Sequence, residues 1–330
     1  MSNRRKLVIA LGAGALAAPL GAFAQPSAKV WRIGSLDLGS QQSMAESGRY
    51  AALIQGLNKH GYVEGKNIVL AMRYAEGNTD RLDALAADLV RQNTDVILAT
   101  GTPAIHAAKR ATAAIPIIVT ATTDPVGDGF ARSLARPGGN ITGMTTGSAD
   151  TIEKLVEFLL VAVPKLKRIA VINNPAASTH APLMLRLEGV TRQTGQQILP
   201  VSVGTRDEIE RGFAFMMRER AGAAIIFPDS FLLSQRAHIA GLALKYRLPS
   251  INALAGYAEV GGLMSYGADI NDNFRRAGIF VDKIFKGAKP GEIPFEQPTR
   301  YFLVINAKTA KQLGIGMSNA LMVRADKVIE

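Results

Sequence analysis

Short apolar segments alternate with longer amphipathic segments along most of this chain, and this alternation constrains the fold more than any other feature. Residues 96–98 and 224–227 are apolar at every position, which is typical of strands buried on both faces of a parallel sheet. Residues 81–92 carry apolar side chains at helical spacing, and another helix is predicted from Thr102. The alternation therefore predicts parallel α/β architecture. The predicted strands are residues 30–36, 67–74, 95–100, 115–121, 140–144, 168–173, 197–203, 223–227, 249–253, 263–266 and 301–305, and further helices are predicted at residues 45–60, 152–163 and 271–285.

Two successive βα series of similar length indicate two lobes, because a single open sheet of a dozen strands would be unusual. A Gly/Thr/Ser-rich stretch at residues 143–149 is the predicted boundary between the two series. The predicted fold class is α/β, with two doubly wound, Rossmann-like lobes joined by a multi-stranded hinge. The first lobe is predicted to comprise residues 29–146 plus about 267–292, and the second lobe residues 147–266 plus about 293–330.

The first 24 residues have the pattern of an export signal. Residues 1–6 carry three basic residues and no acidic one, and residues 7–24 contain no charge and end in Ala-Phe-Ala. A basic start, an apolar stretch and a small-x-small end favour a signal peptide that is cleaved near Ala24, and hence a periplasmic protein. An uncleaved anchor and a buried first helix are the alternatives. The adjacent Arg4 and Arg5 leave open whether export follows the general or the twin-arginine route.

Composition excludes several kinds of site. The chain has no cysteine, so it contains no disulfide, no zinc–thiolate site, no thiol nucleophile and no cysteine for lipid attachment. The formal net charge is +11, but the basic residues are scattered among acidic ones, which argues against a nucleic-acid footprint. These observations favour a freely diffusing periplasmic protein that does not bind nucleic acid.

Small polar residues follow the predicted strands, at the positions where ligands bind in open α/β sheets. Hydroxyl, amide and carboxylate groups in these loops predict a cleft that holds a small polar ligand through many hydrogen bonds. Ordinary helix caps and turns are the alternative interpretation of the same residues. The candidate ligand-binding residues are Asp37, Ser40, Thr100, Thr102, Thr123, Asp124, Asn173, Asp229 and Asn252.

Two of these positions suggest how a zwitterion could be held. Residues 100–102 precede Pro103 at a predicted helix start, where free backbone N–H groups and the helix dipole favour a carboxylate. Asp229 follows a strand of the other lobe and could accept an ammonium group. One ligand would then connect both lobes. A capping role for Asp229, and a ligand that is a simple amide or carboxylate, are the alternatives.

Signals of catalysis are weak. Residues 143–147 have the Gly-x-x-x-Gly spacing of a nucleophile elbow, but Thr145 stands where serine is expected. The chain has four histidines, and no two of them have metal-ligand spacing. The sequence therefore predicts a non-enzymatic protein with no cofactor and no metal; a hydrolase on a doubly wound fold is the runner-up.

Several segments resemble one protein family. They are residues 124–130 (DPVGDGF), 133–143 (SLARPGGNITG), 61–68 (GYVEGKNI) and 74–82 (YAEGNTDRL). Together they resemble the ABC-transporter substrate-binding proteins related to the tryptophan/tyrosine-binding type, and the similarity extends over residues 30–315.

The resemblance implies the type I periplasmic-binding fold, in which two lobes close on a ligand that is then delivered to a membrane permease. It also implies an amino acid as one ligand class, because family members with identified ligands bind aromatic amino acids. The expected partners are a small-molecule ligand and an inner-membrane ABC permease, and the protein is expected to be a monomer. Presentation of the closed form to a membrane sensor is an alternative output of the same binding.

Overall fold

The computed structural model describes residues 29–254 and 256–330, so the predicted export signal at residues 1–24 lies outside the described residues. Within the described part of the chain, no helix combines the length and apolar character needed to cross a bilayer.

The first lobe contains a parallel sheet with helices on both faces. Its elements, in chain order, are β1 Trp31–Asp37, α1 Gln41–Glu46, α2 Arg49–Lys59, β2 Ile68–Tyr74, α3 Leu82–Arg91, β3 Val96–Thr100, α4 Thr102–Ala111, β4 Ile117–Ala121 and β5 Ile141–Gly143. The strand order is β2-β1-β3-β4-β5, and each pair is parallel. This order places the carboxyl ends of β1, β3 and β4 side by side.

The second lobe repeats this pattern with a seven-stranded sheet. Its elements are α5 Ile152–Ala162, β6 Arg168–Asn173, α6 His180–Thr194, β7 Gln197–Ser202, α7 Arg206–Arg218, β8 Ala223–Ile226, α8 Ser230–Ser234, α9 Arg236–Lys245, β9 Ser250–Asn252, β10 Met264–Gly267, β11 Phe302–Asn306, α11 Ala307–Leu313, α12 Asn319–Arg324 and β12 Lys327–Ile329. The strand order is β12-β11-β10-β9-β8-β6-β7, and only the β10–β11 pair is antiparallel.

The apolar strands are buried on both faces, as their composition predicts. All five residues of β3 are buried; Ile97 packs in the core on one face of the sheet and Leu98 in the core on the other. The four residues of β8 are likewise buried, between two cores of the second lobe. Each predicted strand is present, with bounds that differ by at most two residues.

Three segments of the described chain connect the lobes. Residues 144–151 lead from β5 to α5, residues 268–269 lead from β10 to α10 (Ile270–Phe285), and residues 286–301 return to β11. The helix α10 packs on α2 of the first lobe. Asn273 of α10 is buried and donates to the carbonyl oxygens of Thr120 (2.9 Å) and Thr145 (3.3 Å), so it ties a connecting segment to the first sheet.

The predicted helix at residues 45–60 is wrong in one respect, because the structure contains two helices here, α1 and α2. The break lies at Ser47 and Gly48, and Gly48 has a left-handed φ of 77°, which glycine adopts without a steric penalty. Asn271 of α10 donates to the carbonyl oxygen of Ser47 at 3.0 Å. This contact from a distant part of the chain stabilises the break.

Candidate functional site

A cavity lies between the two lobes at the carboxyl ends of the sheet strands. Helices α4 and α8 begin at this cavity, from opposite lobes. The first lobe contributes Thr100, Thr102, Thr122 and Thr123, and the second lobe contributes Asn174, Thr179, Asp229 and Ser230.

Four of the nine residues predicted from the sequence line this cavity: Thr100, Thr102, Thr123 and Asp229. Asp37 lines a smaller adjoining cavity, which shares Thr100 and Ser230 with the main one. The Asp37 carboxylate is already engaged, since it accepts from the guanidinium of Arg49 at 3.1 Å and from the Gly39 amide at 2.7 Å.

The other four predicted residues do not line the cavity, and each has a local hydrogen-bonding role. Ser40 caps α1 by accepting from Ser43 N–H, and Asp124 accepts from the amides of Val126 and Gly127 in a turn. Asn173 donates to the Val171 carbonyl and accepts from Ser202. Asn252 accepts from the amide of Leu254. A part for these four in ligand binding stays a prediction.

Asp229 is the one ionisable side chain that lines the cavity within residues 29–254 and 256–330. Its Oδ1 accepts from the Leu232 amide at 3.0 Å, which caps α8, and from Asn174 Nδ2 at 3.2 Å. Both bonds use the same oxygen, and among the described residues no hydrogen bond reaches Oδ2. The lining therefore carries one formal negative charge, which disfavours an anionic ligand and favours a ligand with a positive group.

The start of α4 faces Asp229 from the other lobe. Gly101 has φ 81° and ψ 151°, a conformation that is open to glycine and strained for other residues, and it turns the chain sharply from β3 into α4. The amides of the first helical turn lack helical partners, and Pro103 removes one of them. The remaining N–H groups can donate to a carboxylate.

Thr122 is a cavity residue whose importance sequence reasoning missed. The residue is 3% exposed, and its buried Oγ1 has no hydrogen-bond partner among the described residues. An unpaired buried hydroxyl costs about 1–3 kcal/mol, so a hydrogen bond between Thr122 and a polar ligand atom would contribute to binding. The neighbouring Thr100 and Thr120 hydroxyls, by contrast, are bonded to each other at 2.8 Å.

The lining also contains several apolar side chains. Leu38, Leu254 and Ile270 lie along it, together with Phe231 and Leu233 of α8. Phe231 packs against a core cluster of the first lobe and also against one of the second. The cavity thus combines polar groups of both lobes, which lie close together at Gly101 and Asp229, with apolar side chains that can contact an apolar group of a ligand.

Contacts across the cavity show that the lobes are closed on each other. Ser230 of the second lobe lies so near Gly101 that a Cβ at position 101 would overlap the Ser230 hydroxyl oxygen. The Asp128 carboxylate of the first lobe accepts from Thr102 at 3.1 Å and from Ser178 of the second lobe. These contacts depend on the present distance between the lobes.

The chain belongs to the ABC transporter substrate binding protein family, whose model matches residues 40–329. Proteins of this family bind small-molecule ligands for ABC permeases, a role that is not catalytic, and they typically act outside the cytoplasm.

Individual relatives agree with this assignment. A tyrosine-binding protein of Clostridioides difficile is 27% identical over 277 residues, which cover 83% of this chain and 79% of that protein. The crystal structure of a conserved domain protein from Vibrio cholerae has a TM-score of 0.84 at 27% identity, and the match covers 91% of this chain and 100% of the other. These similarities confirm the predicted family and its type I periplasmic-binding architecture.

Two further structures share the fold at 24% identity, and both matches cover 91% of this chain and 99% of the other. The TM-score is 0.82 for a complex with L-Trp from Streptococcus pneumonia. It is 0.66 for the ligand-free, open structure of a substrate-binding protein from Clostridium difficile.

The alternative of a hydrolase is not supported. Thr145 is 3% exposed, and its amide donates to the carbonyl of Glu296 between two connecting segments. Within the part of the chain that the structure describes, its hydroxyl has no hydrogen-bond partner. A nucleophile needs a base within hydrogen-bonding reach. The structure therefore gives Thr145 a place in the connection between the lobes.

Proposed function

We propose that this protein captures a zwitterionic amino acid with an apolar, preferably aromatic, side chain and delivers it to an inner-membrane ABC permease. The observation that carries the proposal is the polarity of the cavity, which has one carboxylate at Asp229, a helix N-terminus of the other lobe close to it at Gly101–Thr102, and apolar side chains in the same lining. The tyrosine-binding relative supports the same ligand class.

Each part of such a ligand has a complement in the cavity. The ammonium group would bind the free oxygen of Asp229, and the carboxylate would accept from the first turn of α4 and from Thr122. Hydrogen bonds to charged groups contribute about 1.5–3 kcal/mol each. Burying an aromatic side chain of about 150–250 Å² against Phe231 and Leu38 contributes a further ~4–6 kcal/mol before the costs of association.

Calorimetric titration with the twenty amino acids, and with deaminated and decarboxylated analogues of whichever binds, tests the ligand class. We expect the intact amino acid to bind and the deaminated acid to fail. Asp229→Asn keeps an oxygen for the Leu232 amide and so preserves the cap of α8, while it removes the charge. Because a charge-assisted bond is lost, affinity should fall about tenfold or more.

Asp83→Asn is the matched control, because Asp83 is an exposed carboxylate on α3 that pairs with Arg110 and does not line the cavity. It should leave the affinity unchanged. A ligand without an amino group, or an Asp229→Asn affinity within about threefold of wild type, contradicts the proposed zwitterion bridge.

We also propose that the protein acts as a periplasmic monomer, that residues 1–24 are its export signal, and that its lobes have the boundaries predicted above. The basic start, the uncharged apolar stretch that follows it and the Ala-Phe-Ala end support the signal. The packing of α10 on α2, and the place of β11 and β12 in the second sheet, support the lobe boundaries. N-terminal sequencing of the periplasmic protein should begin near Gln25; a full-length membrane-bound form would contradict the signal.

A further inference from the structure

His180 is a buried histidine that joins the two cavity loops of the second lobe. It is the first residue of α6 and is 3% exposed. Its Nδ1 accepts from the backbone amide of Asn174, in the loop after β6, at 2.9 Å. Its Nε2 lies 3.2 Å from the carbonyl oxygen of Pro228, in the loop after β8. One imidazole thus bridges two loops that are distant in sequence.

The two partners select one form of the imidazole. Nδ1 faces an N–H group and must accept, while Nε2 faces a carbonyl oxygen and must donate. The neutral ring with its proton on Nε2 satisfies both bonds. A second proton, on Nδ1, would point at the amide hydrogen of Asn174 and break that bond.

The loops that His180 joins carry two of the cavity's polar side chains. Asn174 carries the bonded amide itself, and Asp229 follows the bonded carbonyl of Pro228. Both residues line the cavity, and the Asn174 side-chain amide donates to the Asp229 carboxylate. The Asn174 side chain also accepts from the Ala176 amide, which fixes its orientation. If the Asn174 backbone shifts, the position of the Asp229 carboxylate shifts with it.

We propose that His180 is a positioning residue for the ligand, that its neutral form holds Asn174 and Asp229 in the binding arrangement, and that its protonation lowers ligand affinity. This inference rests on the proposed placement of the ligand amino group at Asp229. It makes binding pH-dependent through a residue that does not line the cavity.

The direction of the pH dependence follows from the surroundings of the ring. Burial lowers the pKa of His180 below its ordinary value of 6.5, while the charge of Asp229 and the bond to the Pro228 carbonyl act in the opposite direction. Among the described residues, Asp229 is the charged group that acts on it. Affinity should therefore be constant above pH 6.5 and fall as the pH drops below the lowered pKa of His180.

The free energy of unfolding should also decrease as the pH falls. As the pH falls below 6.5, the unfolded chain takes up a proton on this histidine while the folded chain still resists it. The contribution of neutral His180 to stability is thus present above pH 6.5 and is lost as the pH falls through its folded-state pKa.

The test is calorimetry between pH 5 and 8 with the amino acid found in the screen, on wild type, His180→Asn and His180→Gln. The asparagine side chain places an acceptor near the position of Nδ1, and the glutamine side chain places a donor near the position of Nε2. Neither side chain titrates. We expect wild-type affinity to fall about fivefold or more from pH 8 to pH 5, because protonation of His180 breaks one hydrogen bond and the loss of one such bond changes an affinity by about this factor. Both variants should bind about fivefold more weakly at pH 8, with a flatter pH profile.

His238→Asn is the control, because His238 lies on α9 near Glu210 and does not line the cavity. It should reproduce the wild-type profile. If either His180 variant fails to fold, nitrogen chemical shifts of the wild-type imidazole must show a neutral, Nε2-protonated ring at pH 7 and protonation below pH 6.5.

The outcomes separate the two proposals. If no amino acid binds wild type at pH 8, the ligand assignment is wrong and the role of His180 is lost with it. If wild type binds but the His180 variants keep both its affinity and its pH profile, the ligand assignment stands and the positioning role is wrong. A wild-type ring that is protonated, or that carries its proton on Nδ1, at pH 7 also overturns the positioning role.

Discussion

Gly56→Ala is expected to destabilise the protein by about 3 kcal/mol, at the upper end of the usual cost of overpacking. Gly56 lies where α2 meets α10, and a Cβ there would overlap the carbonyl oxygen of Arg275. A Cβ on Gly278 of α10 would in turn overlap the backbone of Gly56. The obstacle is backbone in both directions, so no side-chain rotation can relieve it.

Urea unfolding of both proteins measures the effect as a shift of the midpoint. Gly241→Ala is the matched control, since Gly241 is also inside a helix, α9, but a Cβ there would have no heavy atom within 4 Å. That control should stabilise the protein by about 0.5–1 kcal/mol through helix propensity. If Gly56→Ala unfolds at the wild-type urea concentration, α10 does not pack on α2 as described.

Ser230→Leu is expected to weaken ligand binding about hundredfold, because it prevents the lobes from closing. In the closed form the Ser230 hydroxyl lies against Gly101, so near that even a Cβ at position 101 would overlap it. A leucine side chain cannot fit there without separating the lobes. Overpacking of about 2.7 kcal/mol corresponds to a hundredfold loss, because each 1.4 kcal/mol changes the affinity tenfold.

Ser230→Ala is the control at the same position, since it removes one oxygen and adds no bulk, and its affinity should stay within about threefold of wild type. Calorimetry gives both affinities. The unfolding midpoint of Ser230→Leu without ligand shows whether the fold itself is intact. Wild-type affinity in a folded Ser230→Leu protein would mean that the ligand does not need the closed arrangement.

The sheets could be predicted from the sequence because buried parallel strands are continuous apolar runs. The predicted strand at residues 95–100 is β3, Val96–Thr100, and the predicted strand at residues 168–173 matches β6, Arg168–Asn173. The break between α1 and α2 could not be predicted, since it depends on Asn271 more than two hundred residues away. The short elements α8, α11, α12 and β12 also lack a periodic pattern and depend on tertiary packing.

The candidate site could be predicted in part, because strand ends place their loops at one edge of each sheet. This rule identifies Thr100, Thr102, Thr123 and Asp229, which line the cavity. The rule cannot decide which of two adjacent loop residues faces the cavity. Asn173 was predicted to line it, but Asn174 does.

Two other features of the site depend on tertiary contacts that the sequence does not reveal. Asp37 is paired with Arg49, which lies on the helix α2. His180 bonds to two loops that are distant in sequence, and these contacts form only when the chain is folded.

The central claim, that one amino acid closes the two lobes, is tested most directly by small-angle scattering of the protein without residues 1–24. Wild type should scatter as a monomer whose radius of gyration falls to that of the closed structure when the amino acid from the screen saturates it. Ser230→Leu should not compact at the same ligand concentration. An unchanged wild-type scattering curve, at a ligand concentration where calorimetry shows saturation, contradicts the claim.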